Sequence, residues 1–171
     1  LQRKQSIQTA MDHKTAFLLI CGGYQLFGQY YKDQDGNVIE GLKFFDYYTV
    51  AGNRDERCIG NIAVETTMDG KTFKAVGFEN HGGQTKNVST PFAKVLSGHG
   101  NEMHSGYEGF MNEQVLATYM HGPLLPKNPD IADAILKRAL KKRYGEVTLE
   151  PLDDTIEYQA QNVMLERLQC K

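Results

Sequence analysis

The chain has 171 residues, 40% of them hydrophobic, with a formal net charge of -2 and three cysteines. That is one domain's worth of chain, 1–171, with enough apolar content for a core and without the basic footprint of a nucleic-acid binder. No apolar run reaches membrane-spanning length, no secretory signal is visible, and Cys21, Cys58 and Cys170 form no CxxC pair, which points to a reducing cytoplasm and away from disulfides or a cysteine zinc site.

The chain opens on Leu1 rather than Met. Residues 1–15 are polar with Ile7, Ala10 and Met11 on one helical face, and predict a surface crossover helix. Only one obvious parallel strand precedes the first cysteine, which is few for a doubly wound sheet, so a fragment lacking its N-terminal portion is expected. Residues 16–20 are an uninterrupted apolar run, the length of a strand buried on both faces of a parallel sheet. Cys21, Gly22 and Gly23 follow, then a predicted helix over 24–31 with Leu26 and Phe27 inward. Strand, thiol, tight glycine turn and helix make the cysteine version of a nucleophile elbow. A helix N-terminus there favours thiolate over thiol, and the Gly22 N–H is placed to donate to an oxyanion. The alternative is a core cysteine closing a buried strand.

Asp33 to Gly36 is a turn signal, and 37–48 is β-like and aromatic-rich. A polar loop over 52–56 leads to a strand over 58–66, a hairpin turn over 68–70 and a returning strand over 72–78. Two further strands, 92–96 and 115–119, flank a loop over 97–106. Asn128-Pro129 reads as the N-cap and first residue of a helix reaching Arg143, with Ile131, Ile135, Leu136, Ala139 and Leu140 inward. Its basic last turns read as a solvated face suited to a helix C-terminus, with a docking patch as the alternative. A last helix over 154–168 has Asp154 and Glu157 at capping-box spacing and Ile156, Ala160, Val163, Met164 and Leu168 inward.

A cysteine nucleophile needs a base that takes its proton and returns it to the leaving amine, usually histidine. His13 lies in a polar loop, His81 just after a strand, and His99 and His104 flank Glu102 in a loop whose spacing alone is weak grounds for a metal site. His121 ends the apolar stretch 115–120 and precedes Gly122-Pro123. It thus occupies a strand end, where α/β folds place functional groups, although a structural histidine capping a strand reads the same way.

With Cys21-Gly-Gly-Tyr-Gln25 and Thr118-Tyr-Met-His121-Gly-Pro-Leu-Leu-Pro-Lys127-Asn128 both in view, the chain resembles class I glutamine amidotransferase domains of the cobyric acid synthase-like (CobB/CobQ-like) group. More narrowly, it resembles the glutaminase subunits of lipid II isoglutaminyl synthases. Arg57-Cys-Ile-Gly-Asn61 and Gly77-Phe-Glu-Asn-His-Gly-Gly83 support the match, which covers nearly everything from Cys21 onward. The resemblance implies an α/β, flavodoxin-like three-layer fold with a mostly parallel central sheet and additional antiparallel strands. It implies Cys21 as nucleophile, His121 as proton shuttle, Gly22 as backbone oxyanion donor and Arg57 as the clamp for the glutamine α-carboxylate, the alternative for Arg57 being an exposed strand-start charge. L-glutamine would be hydrolysed and ammonia passed to a Mur-ligase-like (MurT-like) partner that amidates D-glutamate of lipid II. ATP and Mg²⁺ would belong to that partner, with no cofactor or metal on this chain. The alternatives are amidation in cobyrinate or cobyrate synthesis, and a non-catalytic scaffold of a ligase. Pro123 stands where typical class I members carry an acid two residues after the histidine. Glu79 is the in-chain candidate to orient the imidazole, and the partner subunit is the other source.

Overall fold

The computed structural model describes residues 3–53 and 55–170. Leu1 and Gln2, with which the expected first helix begins, lie outside the described residues. Helix α1 (Lys4–Asp12) feeds β1 (Phe17–Ile20), which runs into the short helix α2 (Gly22–Phe27). The chain then forms β2 (Tyr30–Lys32), β3 (Val38–Glu40) and β4 (Tyr48–Ala51), followed by the long hairpin of β5 (Cys58–Met68) and β6 (Lys71–His81). Next come β7 (Gly83–Lys86), β8 (Ala93–Ser97), β9 (Tyr107–Glu108), β10 (Phe110–Met111), β11 (Val115–Thr118) and β12 (Met120–His121). Helices α3 (Pro129–Tyr144) and α4 (Thr155–Arg167) follow.

Among the described residues there are three sheets, in strand orders β1-β11-β10, β12-β6-β5-β8-β9 and β3-β2-β4-β7. The fold is mixed α/β, but the expected mostly parallel sheet is not what these residues form. Only β1/β11 and β2/β4 are parallel, and the other seven pairings are antiparallel. The reason is connection length. A parallel pair needs a long crossover, whereas most of these strands are joined by turns and short loops, as β5 and β6 are by Asp69-Gly70. Both turn residues have positive φ, 51° and 80°, as a two-residue hairpin turn requires.

The core explains two further differences from expectation. In β1 only Leu19 is buried, because β1 lies at the edge of its sheet. The strand buried on both faces is its neighbour β11. Leu116 joins Ile62, Val64, Met68, Met120 and Ile131 in one cluster, while Val115 and Ala117 join Leu19, Tyr24, Phe27, Tyr47 and Phe110 in another. That split is the period-two alternation of a strand between two layers. The helix after Cys21 ends at Phe27 rather than 31, with Phe27 buried but Leu26 exposed. Residues 30–32 leave it to pair with β3 and β4. Of the β-like stretch 37–48, only Val38–Glu40 and the start of β4 are strand. Phe44, Phe45 and Tyr47 instead pack their rings on Phe27, Tyr24 and Phe110.

Neither predicted helix cap is made by a side chain. Asn128 and Asp154 occupy the cap positions without a capping hydrogen bond. Asn128 turns inward instead. Its Oδ1 accepts the Val76 N–H at 2.8 Å, and its Nδ2 donates to Val76 O at 2.8 Å and Leu124 O at 2.6 Å. The amide thereby takes the place of a strand residue along the side of β6 that β12 covers only at Phe78 and Glu79.

In α3, Ile131 is buried and Leu136 exposed. In α4 the predicted inward face is largely outward, with Ile156 76% and Val163 46% exposed. Leu165 packs on Ala63 and Val76 instead, while Gln161 donates to Lys127 O and Asn128 Oδ1. No helix among the described residues is long and apolar enough to cross a membrane.

Candidate active site

The thiol stands at the hinge between β1 and α2. Cys21 has φ 51° and ψ -107°, a strained conformation for a residue with a Cβ, held because the segments on either side are fixed. The strain falls on the cysteine and not on the glycines, which are the first two residues of α2. A Cβ on Gly22 would meet nothing within 4 Å and one on Gly23 only Leu19 Cβ at 3.8 Å. The glycines thus leave open space beside the sulfur, which is half-buried.

The expected low thiol pKa is not found. Burial pushes the Cys21 thiol up, and the Gly22 backbone N–H, which favours the anion, offsets this only in part. Helix α2 has six residues, too few to bring a large dipole to bear. The resting group is the thiol, so chemistry at this sulfur needs a base.

The structure brings the histidine-bearing strand end to the elbow through backbone. Strand β1 lies parallel to β11 with Ile20 opposite Thr118, and the Cys21 N–H donates to Thr118 O at 2.9 Å. At Tyr119 the chain bends out of this sheet, and Met120–His121 joins β6 in another, with His121 opposite Phe78. His121 is half-buried and its Nε2 is enclosed without a hydrogen-bond partner. No hydrogen bond links Cys21 Sγ to this ring among the described residues. The imidazole nitrogen is unengaged, as a base that closes on its partner only with substrate bound can be.

Among the described residues Glu79 makes no hydrogen bond to that imidazole. It is buried, and its two oxygens accept the N–H groups of His99 at 2.8 Å and Gly100 at 3.0 Å, so it holds the loop after β8. Both oxygens meet that backbone, where the positive φ of Gly98 and Gly100 leaves N–H groups without ladder partners. His81 ends β6, donates its Nδ1–H to Gly83 O at 2.7 Å, and stacks face to face on Tyr119 with centroids 3.7 Å apart. Burial pushes its pKa down to about 4, so it is neutral at physiological pH. His13 is exposed. Glu102, between His99 and His104, pairs with Lys86 at 2.6 Å, and no group of three or more His, Cys, Asp or Glu among the described residues could hold a metal ion.

Arg57 is exposed, and its Nη2 donates to Asn80 Oδ1 at 3.1 Å. It lines an open cleft of about 460 Å³ with Tyr31, Asp33, Gly52 and Gly82. Cys21 is not part of that lining. Gln25 of α2 places its amide against Gly83, the neighbour of the cleft residue Gly82, and donates to Tyr119 OH at 3.1 Å.

Sequence reasoning missed Glu108. It is fully buried, and its Oε1 accepts Thr118 Oγ1–H at 2.5 Å and the Tyr119 N–H at 2.6 Å. Burial pushes its pKa up to about 7. The one signal available in the sequence was an acid between Tyr107 and Gly109 next to a short aromatic strand, which nothing connected to the site.

Comparison with known proteins bears on this arrangement. Residues 2–129 match the CobB/CobQ-like glutamine amidotransferase domain. The chain is 36% identical over 164 residues to the lipid II isoglutaminyl synthase (glutamine-hydrolyzing) subunit GatD of Staphylococcus aureus strain N315, covering 96% of this chain and 65% of that protein. It is 37% identical over 146 residues to the subunit of the same name from Streptococcus pneumoniae, covering 84% and 55%. A probable cobyric acid synthase of Methanocaldococcus jannaschii is 31% identical over 158 residues, 84% of this chain and 31% of that protein. The chain thus spans between half and two thirds of the two GatD relatives.

Proposed function

The chain belongs to the CobB/CobQ-like glutamine amidotransferase family, and from that premise we propose that it hydrolyses L-glutamine for an ATP-dependent synthetase, with Cys21 as nucleophile and His121 as proton shuttle. The observation that carries this reading is the strained thiol on its strand-to-helix turn, hydrogen-bonded through its backbone to Thr118, three residues before the histidine. In the reaction His121 takes the thiol proton as sulfur attacks the amide carbon of glutamine. The Gly22 N–H donates to the resulting oxyanion, in the open space left by the missing side chain. Collapse breaks the C–N bond, His121 returns the proton to nitrogen, and ammonia leaves a γ-glutamyl thioester. His121 then deprotonates a water that cleaves the thioester, releasing glutamate and restoring the thiol. Arg57 binds the α-carboxylate of glutamine through its guanidinium fork.

Ammonia then passes to a Mur-ligase-like partner that carries ATP and Mg²⁺ and amidates D-glutamate of lipid II, on the cytoplasmic side of the membrane. The names of the two GatD relatives support this acceptor. The third relative supports the second reading, an amidation in cobyric acid synthesis. Glutamate release by the full-length protein with its synthetase partner tests the core of the proposal. A Cys21→Ser variant is expected to lose activity by at least ~10³-fold, and a thiol-alkylating glutamine analogue to label Cys21 in preference to Cys58 and Cys170. Equal activity of the two proteins, or labelling without preference, rules out Cys21 as nucleophile. Which acceptor becomes amidated separates the two pathways.

A further inference from the structure

The residues between β11 and β12 carry a backbone problem. Where the chain leaves one sheet for the other, its N–H groups leave one ladder before joining the next, and a buried N–H without a partner is costly. Here side chains supply the partners. Met120 N–H donates to Thr118 Oγ1 at 3.0 Å, the Thr118 hydroxyl donates to Glu108 Oε1 at 2.5 Å, and Tyr119 N–H donates to the same oxygen at 2.6 Å. Thr118 O in turn accepts the Cys21 N–H. One carboxylate oxygen on β9 therefore anchors the peptide that holds the elbow in place and the bend from which His121 extends. The other oxygen, Oε2, is buried with no partner.

We propose that Glu108 is a positioning residue for glutamine hydrolysis, fixing through Thr118 and Tyr119 the strand switch that sets His121 against the Cys21 elbow. The inference rests on the glutaminase reading for its chemistry, but not for its geometry. A carboxyl with every partner on one oxygen and none on the other holds backbone by the strength of those short bonds, which is greatest when the acceptor is ionised. The titratable groups that face it are Glu79 from β6, Tyr24 from α2, Cys58 from β5 and Tyr119 from the switch itself. None of these four is a cation, so none of them stabilises the ionised carboxylate by charge. Burial raises its pKa to about 7, while the bonds from Thr118 and Tyr119 pull it down. Below neutrality the carboxyl takes up a proton, its grip on the switch weakens, and His121 loses its fixed placement.

The test uses the full-length protein with its synthetase partner, comparing wild type with Glu108→Gln and Thr118→Val. Glu108→Gln keeps an acceptor oxygen but removes the charge, and Thr118→Val keeps the volume but removes the bridging hydroxyl. The expected result is a tenfold or greater fall in kcat in both variants with KM for glutamine within twofold of wild type, since the Arg57 cleft is untouched. The wild-type acid limb of kcat near pH 7 should vanish in Glu108→Gln and persist in Thr118→Val. A wild-type kcat and pH profile in Glu108→Gln overturns the proposal, as does a fall in KM-linked binding alone. If Glu108→Gln does not fold, Thr118→Val decides by the same kcat criterion. The ring C–H resonances of ¹³C-labelled histidine give a readout independent of activity. The His121 signal is expected to shift or broaden in both variants while that of exposed His13 stays fixed, and an unmoved His121 signal overturns the proposal. If wild type releases no glutamate, the glutaminase reading fails by itself and the His121 signal still decides the positioning role.

Discussion

The long β5–β6 hairpin and the strand switch over 118–121 lie side by side in this molecule and are held by different means. The hairpin is closed by backbone. Eleven successive pairs run from Cys58 opposite His81 to Met68 opposite Lys71, around a two-residue turn. The switch is closed by side chains, with Glu108 and Thr118 meeting the N–H groups that no ladder reaches. They meet at Gly77, where a Cβ would come within 2.9 Å of Met120 Cβ. A repetitive ladder makes a stable platform from local rules, whereas a site that must leave one sheet for another depends on single buried polar groups from far along the chain.

The largest effect expected from this contrast falls at Asn128, the side chain that finishes the hairpin's open side. Its amide joins both polar groups of Val76 to Leu124 O and to Gln161. An Asn128→Ala substitution strands those groups in the interior, and the expected loss is about 3 kcal/mol of unfolding free energy, measured by urea titration. A loss below about 1 kcal/mol would mean that backbone alone sustains the hairpin.

Two buried titratable groups, one bound to each region, pull stability in opposite directions. His81, at the hairpin's end, has its pKa lowered to about 4 by burial. The folded protein then binds fewer protons than the unfolded chain between that value and the ordinary 6.5, so stability is lost as pH falls through this window. Glu108, at the switch, has its pKa raised from 4.5 to about 7 by burial. The folded state there binds more protons, so stability is lost as pH rises through that window. Each slope is at most roughly 1.4 kcal/mol per pH unit, and between pH 4.5 and 6.5 they largely cancel. Urea midpoints of Glu108→Gln are expected to rise steadily from pH 4 to 6.5 and then level, where wild type stays nearly flat from pH 4.5 to 6.5 and declines toward pH 7. A declining limb that survives in the variant would assign it to another group.

Legibility in the sequence followed the same division. The hairpin was readable because its turn residues and alternation lie within one window, and the elbow because strand, thiol and Gly-Gly are contiguous. The antiparallel bias, the edge position of β1 and the inward use of Asn128 were not, because each is set by a partner distant in sequence. Glu108 was invisible for the same reason. It serves Thr118 and Tyr119, ten and eleven residues on, across a change of sheet. The strand end marked His121 and resemblance supplied Arg57, but neither could say that both oxygens of Glu79 accept the backbone N–H groups of His99 and Gly100.

Helix α4 offers the smallest expected effect, and for that reason a sharp one. Periodicity alone places Ile156, Ala160 and Val163 on the buried face, and on that basis Ile156→Ser would cost what a core truncation costs. In the structure Ile156 is 76% exposed while Leu165 is 6% exposed against Ala63 and Val76. What turns the helix is polar. Gln161 reaches Lys127 O and Asn128 Oδ1, and Tyr158 OH reaches Asp130 at 3.2 Å, so the side carrying these residues and Leu165 must face β6. Isoleucine and serine have similar helix propensities, so Ile156→Ser is expected to change unfolding free energy by less than about 0.5 kcal/mol. Leu165→Ala, in the same helix, is expected to cost about 2 to 3 kcal/mol. The reverse order would mean that apolar periodicity sets the rotation of α4 against the hairpin and the glutamine contacts follow from it, which would place α4 with the elements legible in the sequence.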